Sequence, residues 1–283
     1  MTPAGGRRLF ILVALAMIAF AANSLLCRLA LRGGAIDAAS FTTIRIVSGA
    51  LVLWAIARMR DATMTSAGSW SSAAALFGYA VAFSFAYIEL SAAVGALILF
   101  CSVQVTMIGW GLWRGERIAA RQAAGLGLAI AGLVGLLWPG LSAPPPGSAA
   151  LMLAAGIAWG IYSLRGRRSG DPTIATAGNF MRAVPFAVVL SLVTLGGASA
   201  DAAGVLYAIA SGALASGLGY AIWYTALPGL TATKAATVQL SVPVIAAAAA
   251  VVLLDEAITL RLLLGSAAIL GGIALVVMAK RPA

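Results

Sequence analysis

Long apolar runs of similar length alternate along the chain with short polar breaks. Ten windows rich in Ala, Val, Leu, Ile and Gly stand out, with ends good to a few residues: Leu9–Leu29, Ala38–Ala57, Trp70–Ile88, Ala92–Trp113, Ala123–Leu141, Ser148–Leu164, Ile174–Leu195, Ala202–Leu227, Thr231–Leu253 and Leu262–Ala279. An α-helix needs about 20 such residues to cross the hydrocarbon core of a bilayer. The short alternating segments of a membrane β-barrel do not occur. The breaks leave no room for a soluble domain. The expected fold class is therefore an all-α integral membrane protein with ten transmembrane helices. Arg7 and Arg8 followed by Leu9–Ala22 have the outline of a signal peptide, but the apolar run is long and no A-x-A site follows, so it is read as the first helix.

One polar-punctuated passage occurs twice. Glu116–Leu137 is echoed 140 residues later by Glu256–Val277, which sets Glu116 on Glu256, Ile118 on Ile258, Arg121 on Arg261, Gly125 on Gly265 and Gly132 on Gly272. Apolar matches carry little weight in so apolar a chain; two charges and two glycines carry more. The expected organisation is two related five-helix halves, residues 1–141 and 148–283. Three consecutive prolines within Pro139–Gly147 stop helix continuation between them. An odd number of spans inserts the two copies in opposite orientations, which predicts a pseudo-two-fold axis in the membrane plane. Inverted repeats of this kind underlie alternating access.

Charge adds orientation. Only 9% of the 283 residues are charged, against about 25% in soluble domains. The formal charge of +10 is spread in ones, twos and threes between the spans, as topology and lipid-headgroup contacts rather than a nucleic-acid surface. Twelve basic residues (Arg7, Arg8, Arg58, Arg60, Arg114, Arg117, Arg121, Arg165, Arg167, Arg168, Lys280 and Arg281) fall on one side of a ten-span layout. Arg28, Arg32 and Arg261 fall on the other, diluted by Asp37, Asp201, Asp255 and Glu256. The positive-inside rule then predicts a multi-pass membrane protein with both termini cytoplasmic. Cys27 and Cys101 lie in apolar runs and indicate no disulfide framework.

With its ten spans, two halves and the passage Gly115, Glu116, Arg121, Gly125 and Gly132 after the fourth span, the chain resembles the drug/metabolite transporter superfamily and, within it, the EamA-like ten-helix exporters. Pro243 in span nine and the arginines Arg45 and Arg182 in spans two and seven fit the same pattern; Asp255-Glu256 in place of Gly-Glu is a mild departure. The resemblance covers nearly the whole chain. It implies an inner-membrane exporter of small metabolites, with amino acids, aromatic ones included, as leading substrates.

Polar groups inside the spans are few, and each needs a partner or a wet cavity. Asn23 and Ser24 in span one, Gln104 in span four, Asn179 in span seven and Gln239 in span nine are candidates to bind an ammonium or carboxylate group, or else to hydrogen-bond between helices. Tyr79 and Phe83 share one face of span three; Tyr220, Trp223 and Tyr224 share one face of span eight; Trp159 and Tyr162 pair in span six. Those aromatics form either a cavity wall or helix packing, whereas Trp70, Trp113 and Trp138, at span ends, belong to interfacial belts. A guanidinium at Arg45 or Arg182 could grip a substrate carboxylate. Its occurrence at matching places in both halves favours a structural contact.

What the chain lacks narrows the function. It has no histidine, and Glu89 is the carboxylate nearest a span, at its end. A carboxylate proton relay deep in the bilayer is therefore not expected, and no GxxxxGK[ST] loop is present for ATP. A lipid-modifying membrane enzyme, the alternative class, would need a base, a nucleophile–base pair or a metal site. No catalytic residue, metal or cofactor is expected. A channel would need charge rings or a carbonyl filter, neither of which is evident. The expected partners are a small-molecule substrate (amino acids, with organic cations and a multidrug role as the alternative) and membrane lipids, the protein acting as a monomer or homodimer.

Overall fold

The computed structural model describes residues 3–60, 67–115, 119–140, 143–166, 171–230 and 238–278. Glu116, Arg117, Ile118, Arg167, Arg168, the start of the ninth expected span, Lys280 and Arg281 lie outside them. Among the described residues ten helices follow in order: α1 Pro3–Arg32, α2 Ala38–Met59, α3 Trp70–Ala86, α4 Ala92–Trp113, α5 Ala120–Leu137, α6 Pro146–Gly166, α7 Pro172–Val193, α8 Ala202–Gly229, α9 Ser241–Leu254 and α10 Leu260–Met278. Seven are long and apolar enough to cross a membrane; Trp70–Ala86, Ser241–Leu254 and Leu260–Val276 are shorter apolar helices. The protein is an all-α membrane protein, and each apolar run of the sequence corresponds to one helix.

The polar breaks set the helix starts. Asp37 accepts from the amides of Ala39 and Ser40 to begin α2, Ser69 from Ser72 to begin α3, and Ser91 from Val94 to begin α4. Asp171 caps α7, with Pro172 in the first turn, and Asp201 caps α8. Each cap satisfies amide donors that the helix itself cannot. At the other end of α9, Asp255 takes a left-handed conformation, φ 52°, and stops the helix.

Inside a bilayer, apolar burial does little to join helices; small residues that permit close approach do more. Helices α5 and α10 show this. A side chain at Gly125 would strike the Gly272 carbonyl and Leu275, and one at Gly132 would lie 2.7 Å from Ala268 Cβ and 3.0 Å from the Ile269 nitrogen. Gly265 faces Leu136 and the Gly132 carbonyl. Gly125 thus opposes Gly272 while Gly132 opposes Gly265, so the two helices run antiparallel. The four glycines shared by the repeated passages form this one seam. Elsewhere α2 packs on α7 and α8, α3 on α6 and α7, α1 on α8 and α9, and α4 on α6 and α9. Helices α1–α5 are thus interleaved with α6–α10 rather than set beside them.

Contacts between distant breaks sort the molecule into two ends. At the first end, Asp37 and Ser199 exchange backbone and side-chain bonds beside an Ile36–Ala200 bridge. Arg32 donates to the Leu254 carbonyl, Ser148 to Glu89, and Arg261 to the Trp138 carbonyl. At the second end, Arg60 pairs with Asp171 at 4.0 Å, Arg165 reaches Ser71 and Ser72, and Gln122 donates to the Val276 carbonyl. This sorting is the one that ten alternating spans require.

Candidate functional site

A cavity of about 460 Å³ lies among α1, α3, α4, α6, α8 and the residues just before α9. Ten of the twelve residues singled out in the sequence line it: Asn23, Ser24, Tyr79, Phe83, Gln104, Trp159, Tyr220, Trp223, Tyr224 and Gln239. The other two do not. Tyr162 sits behind the wall, its ring 5.3 Å from that of Trp159 and its hydroxyl on Thr176. Asn179 is taken up by the α3 start, accepting from the Ser69 amide at 2.8 Å and donating to Tyr162 at 3.4 Å. Both satisfy buried polar groups between helices, a use that sequence alone leaves open.

Trp159 is the centre of the aromatic wall. Its ring centroid lies 4.8 Å from Tyr79 and 5.2 Å from Tyr220, while Phe20 meets Tyr220 and Trp223 edge-on at 5.7 and 6.0 Å. Such offset and edge contacts suit the ring quadrupoles and hold the wall stiff. Polar groups are set into it sparsely. Asn23 donates to the Tyr79 hydroxyl at 3.3 Å and accepts from Ser211 at 2.6 Å, so its amide is fixed; Ser24, Gln104, Ser163 and Gln239 add further hydrogen-bonding groups. None of the described residues lining the cavity is charged.

Sequence reasoning missed Phe20, Met107, Ser163 and Ala215 in the lining. Phe20 is three residues before Asn23, and Met107 three after Gln104, so helical spacing from the polar seeds carried the signal. Ala215 carried none. It lies in Ala210–Leu218, a π-helical stretch within α8. The i→i+5 repeat turns Ser211 and Ser216 toward one face, where Ser211 meets Asn23 and Ser216 meets Arg45. Gly212 rests on Ser48 and the Arg45 carbonyl, with no room for a side chain.

The two arginines, matched in sequence, have unlike surroundings. Arg182 donates to the carbonyls of Ala67 and Gly178 near the second end. Arg45 is 3% exposed, directly behind the cavity wall, with its guanidinium carbon 5.2 and 4.8 Å from the ring centres of Tyr79 and Phe83.

The cavity reaches Gly166, Pro172, Leu227 and Leu230 toward the second end. Beyond its lining, the first end holds buried Tyr87 and Leu90 and a polar cluster that the sequence alone does not set apart from the other charges between spans. Both Glu256 oxygens accept from the Ala92 amide, at 2.9 and 3.0 Å, at the start of α4. Arg28 lies 3.7 Å from the same carboxylate and donates to the Tyr87 and Ile88 carbonyls at 3.1 and 2.7 Å. The carboxylate held among helices is thus Glu256; Glu89 is exposed.

A bundle of ten apolar helices around an aromatic-walled cavity is an architecture suited to a small-solute membrane transporter. The chain belongs to the EamA-like transporter family, whose model matches residues 147–278, within the drug/metabolite transporter superfamily. It is 56% identical over 271 residues to uncharacterized protein PA1977 of Pseudomonas aeruginosa, covering 95% of this chain and 94% of that one. It is also 27% identical over 222 residues to a probable amino-acid metabolite efflux pump of Escherichia coli K12, covering 70% and 74% of the two chains. A solved crystal structure has the same fold, with a TM-score of 0.65, 21% identity and coverage of 93% of this chain and 97% of that one. The family and the Escherichia coli relative point to a transporter rather than an enzyme.

Proposed function

We propose that the protein exports amino acids with aromatic or other hydrophobic side chains, and related metabolites, across the inner membrane by alternating access. The observation that carries this is the cavity itself. Its aromatic wall offers stacking and apolar contact to a side chain, while Asn23, Ser24, Gln104 and Gln239 offer neutral hydrogen-bonding groups to the polar end of a zwitterion. The Escherichia coli relative's description as an amino-acid metabolite efflux pump supports the same substrate class.

Two inverted halves, 1–141 and 148–283, would exchange which end is open, with the termini on the cytoplasmic side. The antiparallel seam supports this, because Gly125–Gly272 and Gly132–Gly265 exchange places under a two-fold operation between α5 and α10. In the described conformation the cavity reaches toward the second end, the cytoplasmic one in this layout. Lining residues without a carboxylate favour movement down a solute gradient over proton exchange through a relay. Uptake of radiolabelled L-phenylalanine, L-leucine and tetraethylammonium into proteoliposomes tests the reading. Saturable movement of the amino acids is expected, and movement of tetraethylammonium alone would overturn it in favour of organic-cation export.

A further inference from the structure

Arg45 is a cation buried in the apolar interior with only neutral partners. Its Nη2 donates to the Tyr79 hydroxyl at 3.0 Å and its Nε to Ser216 at 3.4 Å, two aromatic faces flank it, and buried Nη1 has no hydrogen-bond partner among the described residues. No carboxylate among the described residues pairs with it there. A guanidinium remains charged at any physiological pH, and an uncompensated charge at this depth is costly. Mere helix packing gives no reason to retain it, and an intramembrane ionisable group without a structural partner points to function.

Tyr79 carries that charge to the cavity. Its hydroxyl oxygen has two lone pairs, and both are used: one accepts from Arg45, the other from Asn23 at 3.3 Å. Asn23 is held in that sense by Ser211. The hydroxyl's own proton therefore needs a third partner, and among the described residues none accepts it. Tyr79 lines the cavity while Arg45 does not. The result is a hydroxyl donor polarised by a cation, without an acceptor among the described residues, on a side chain that lines the cavity.

We infer that Tyr79, backed by Arg45 and oriented by Asn23, is the carboxylate pole of the cavity, so that the site selects solutes bearing a carboxylate and disfavours organic cations. This rests on the proposal that the cavity is where solute binds. A carboxylate there accepts the Tyr79 proton and supplies the counter-charge that Arg45 lacks. A bare ammonium meets like charge instead, despite the aromatic wall. Charge-assisted hydrogen bonds make the pole worth roughly tenfold or more in affinity.

Quenching of the intrinsic tryptophan fluorescence of the purified protein, to which the cavity-lining Trp159 and Trp223 contribute, gives the test, with 3-phenylpropanoate, phenethylamine and L-phenylalanine as probes. In the parent protein 3-phenylpropanoate binds at least about tenfold tighter than phenethylamine. Tyr79→Phe keeps the ring and reduces that ratio about tenfold; Arg45→Gln does the same where it folds, and Arg45→Lys retains part of it. An unchanged ratio in Tyr79→Phe, tighter binding of phenethylamine by the parent protein, or no saturable binding of either carboxylate overturns the inference. Vesicle transport of L-phenylalanine separates it from the proposed function. Tyr79-dependent carboxylate binding without L-phenylalanine transport sustains the pole and refutes amino-acid export. Transport with undiminished affinity in Tyr79→Phe does the reverse.

Discussion

Replacing Glu256 by Ala should loosen the first end, where this carboxylate ties the start of α4 to the break between α9 and α10, while leaving the cavity wall untouched. The carboxylate binds the first amide of α4 through both oxygens, at 2.9 and 3.0 Å, and lies 3.7 Å from Arg28. A hydrogen bond to a charged group contributes about 1.5–3 kcal/mol, and a carboxylate at a helix N-terminus about 0.3–1 kcal/mol more. The Arg28 contact is longer and adds less. Taking about 2 kcal/mol as the part present only while the first end is shut, the mutation shifts the closed–open balance about thirtyfold. Glu256→Gln keeps one acceptor oxygen and shifts it less. The shift is read from the modification rate of Ser24→Cys by a membrane-impermeant maleimide, added from the side carrying the Asp37 break, with Cys27 and Cys101 replaced by Ala. The expected rate rises about thirtyfold in Glu256→Ala. An unchanged rate in a folded protein would refute a sealing role for Glu256.

Gly125→Leu should unfold or misassemble the protein, because the site meets the Gly272 carbonyl, whereas Gly127→Ala, with nothing within 4 Å, should leave the detergent melting temperature within a degree or two. Asp37 is partly desolvated, which raises its pKa, but side-chain and backbone bonds from Ser40, with amides of Ser199 and Ala39, outweigh this and hold it below the usual carboxylate value. Its stabilisation is therefore complete above the unfolded value of about 4 and is lost as pH falls through the lower folded value; in acid melts below about pH 4, Asp37→Asn should lose less stability than the parent. Trp223→Ala and Phe83→Ala should weaken transport of L-phenylalanine more than of L-alanine, and equal losses with a lowered melting temperature would indicate packing.

Period and punctuation explain why so much of the fold is legible in the sequence. Asp37, Ser69, Ser91, Asp171 and Asp201 sit where helices begin because each supplies an oxygen that the first turn lacks. Ten site candidates stand out because a polar or aromatic residue amid aliphatics must face something other than lipid. Relations across sequence are not legible in this way. Nothing local distinguishes Arg45, behind an aromatic wall, from Arg182, on two carbonyls. Glu256 reaches Ala92 across 164 residues, and a charge between spans does not name its partner. The π-helical stretch of α8 adds residues to the turn without any sequence period to mark it.

The central claim is that the cavity around Trp159 is the transport site. Its most direct test follows exchange of radiolabelled L-phenylalanine in proteoliposomes bearing Ser24→Cys, again with Cys27 and Cys101 replaced by Ala, before and after modification with a bulky maleimide. Ser24 lines the cavity beside Asn23, so modification should abolish saturable exchange, and L-phenylalanine present during the reaction should slow the modification. Full exchange through protein shown to be modified at Ser24→Cys would contradict the account.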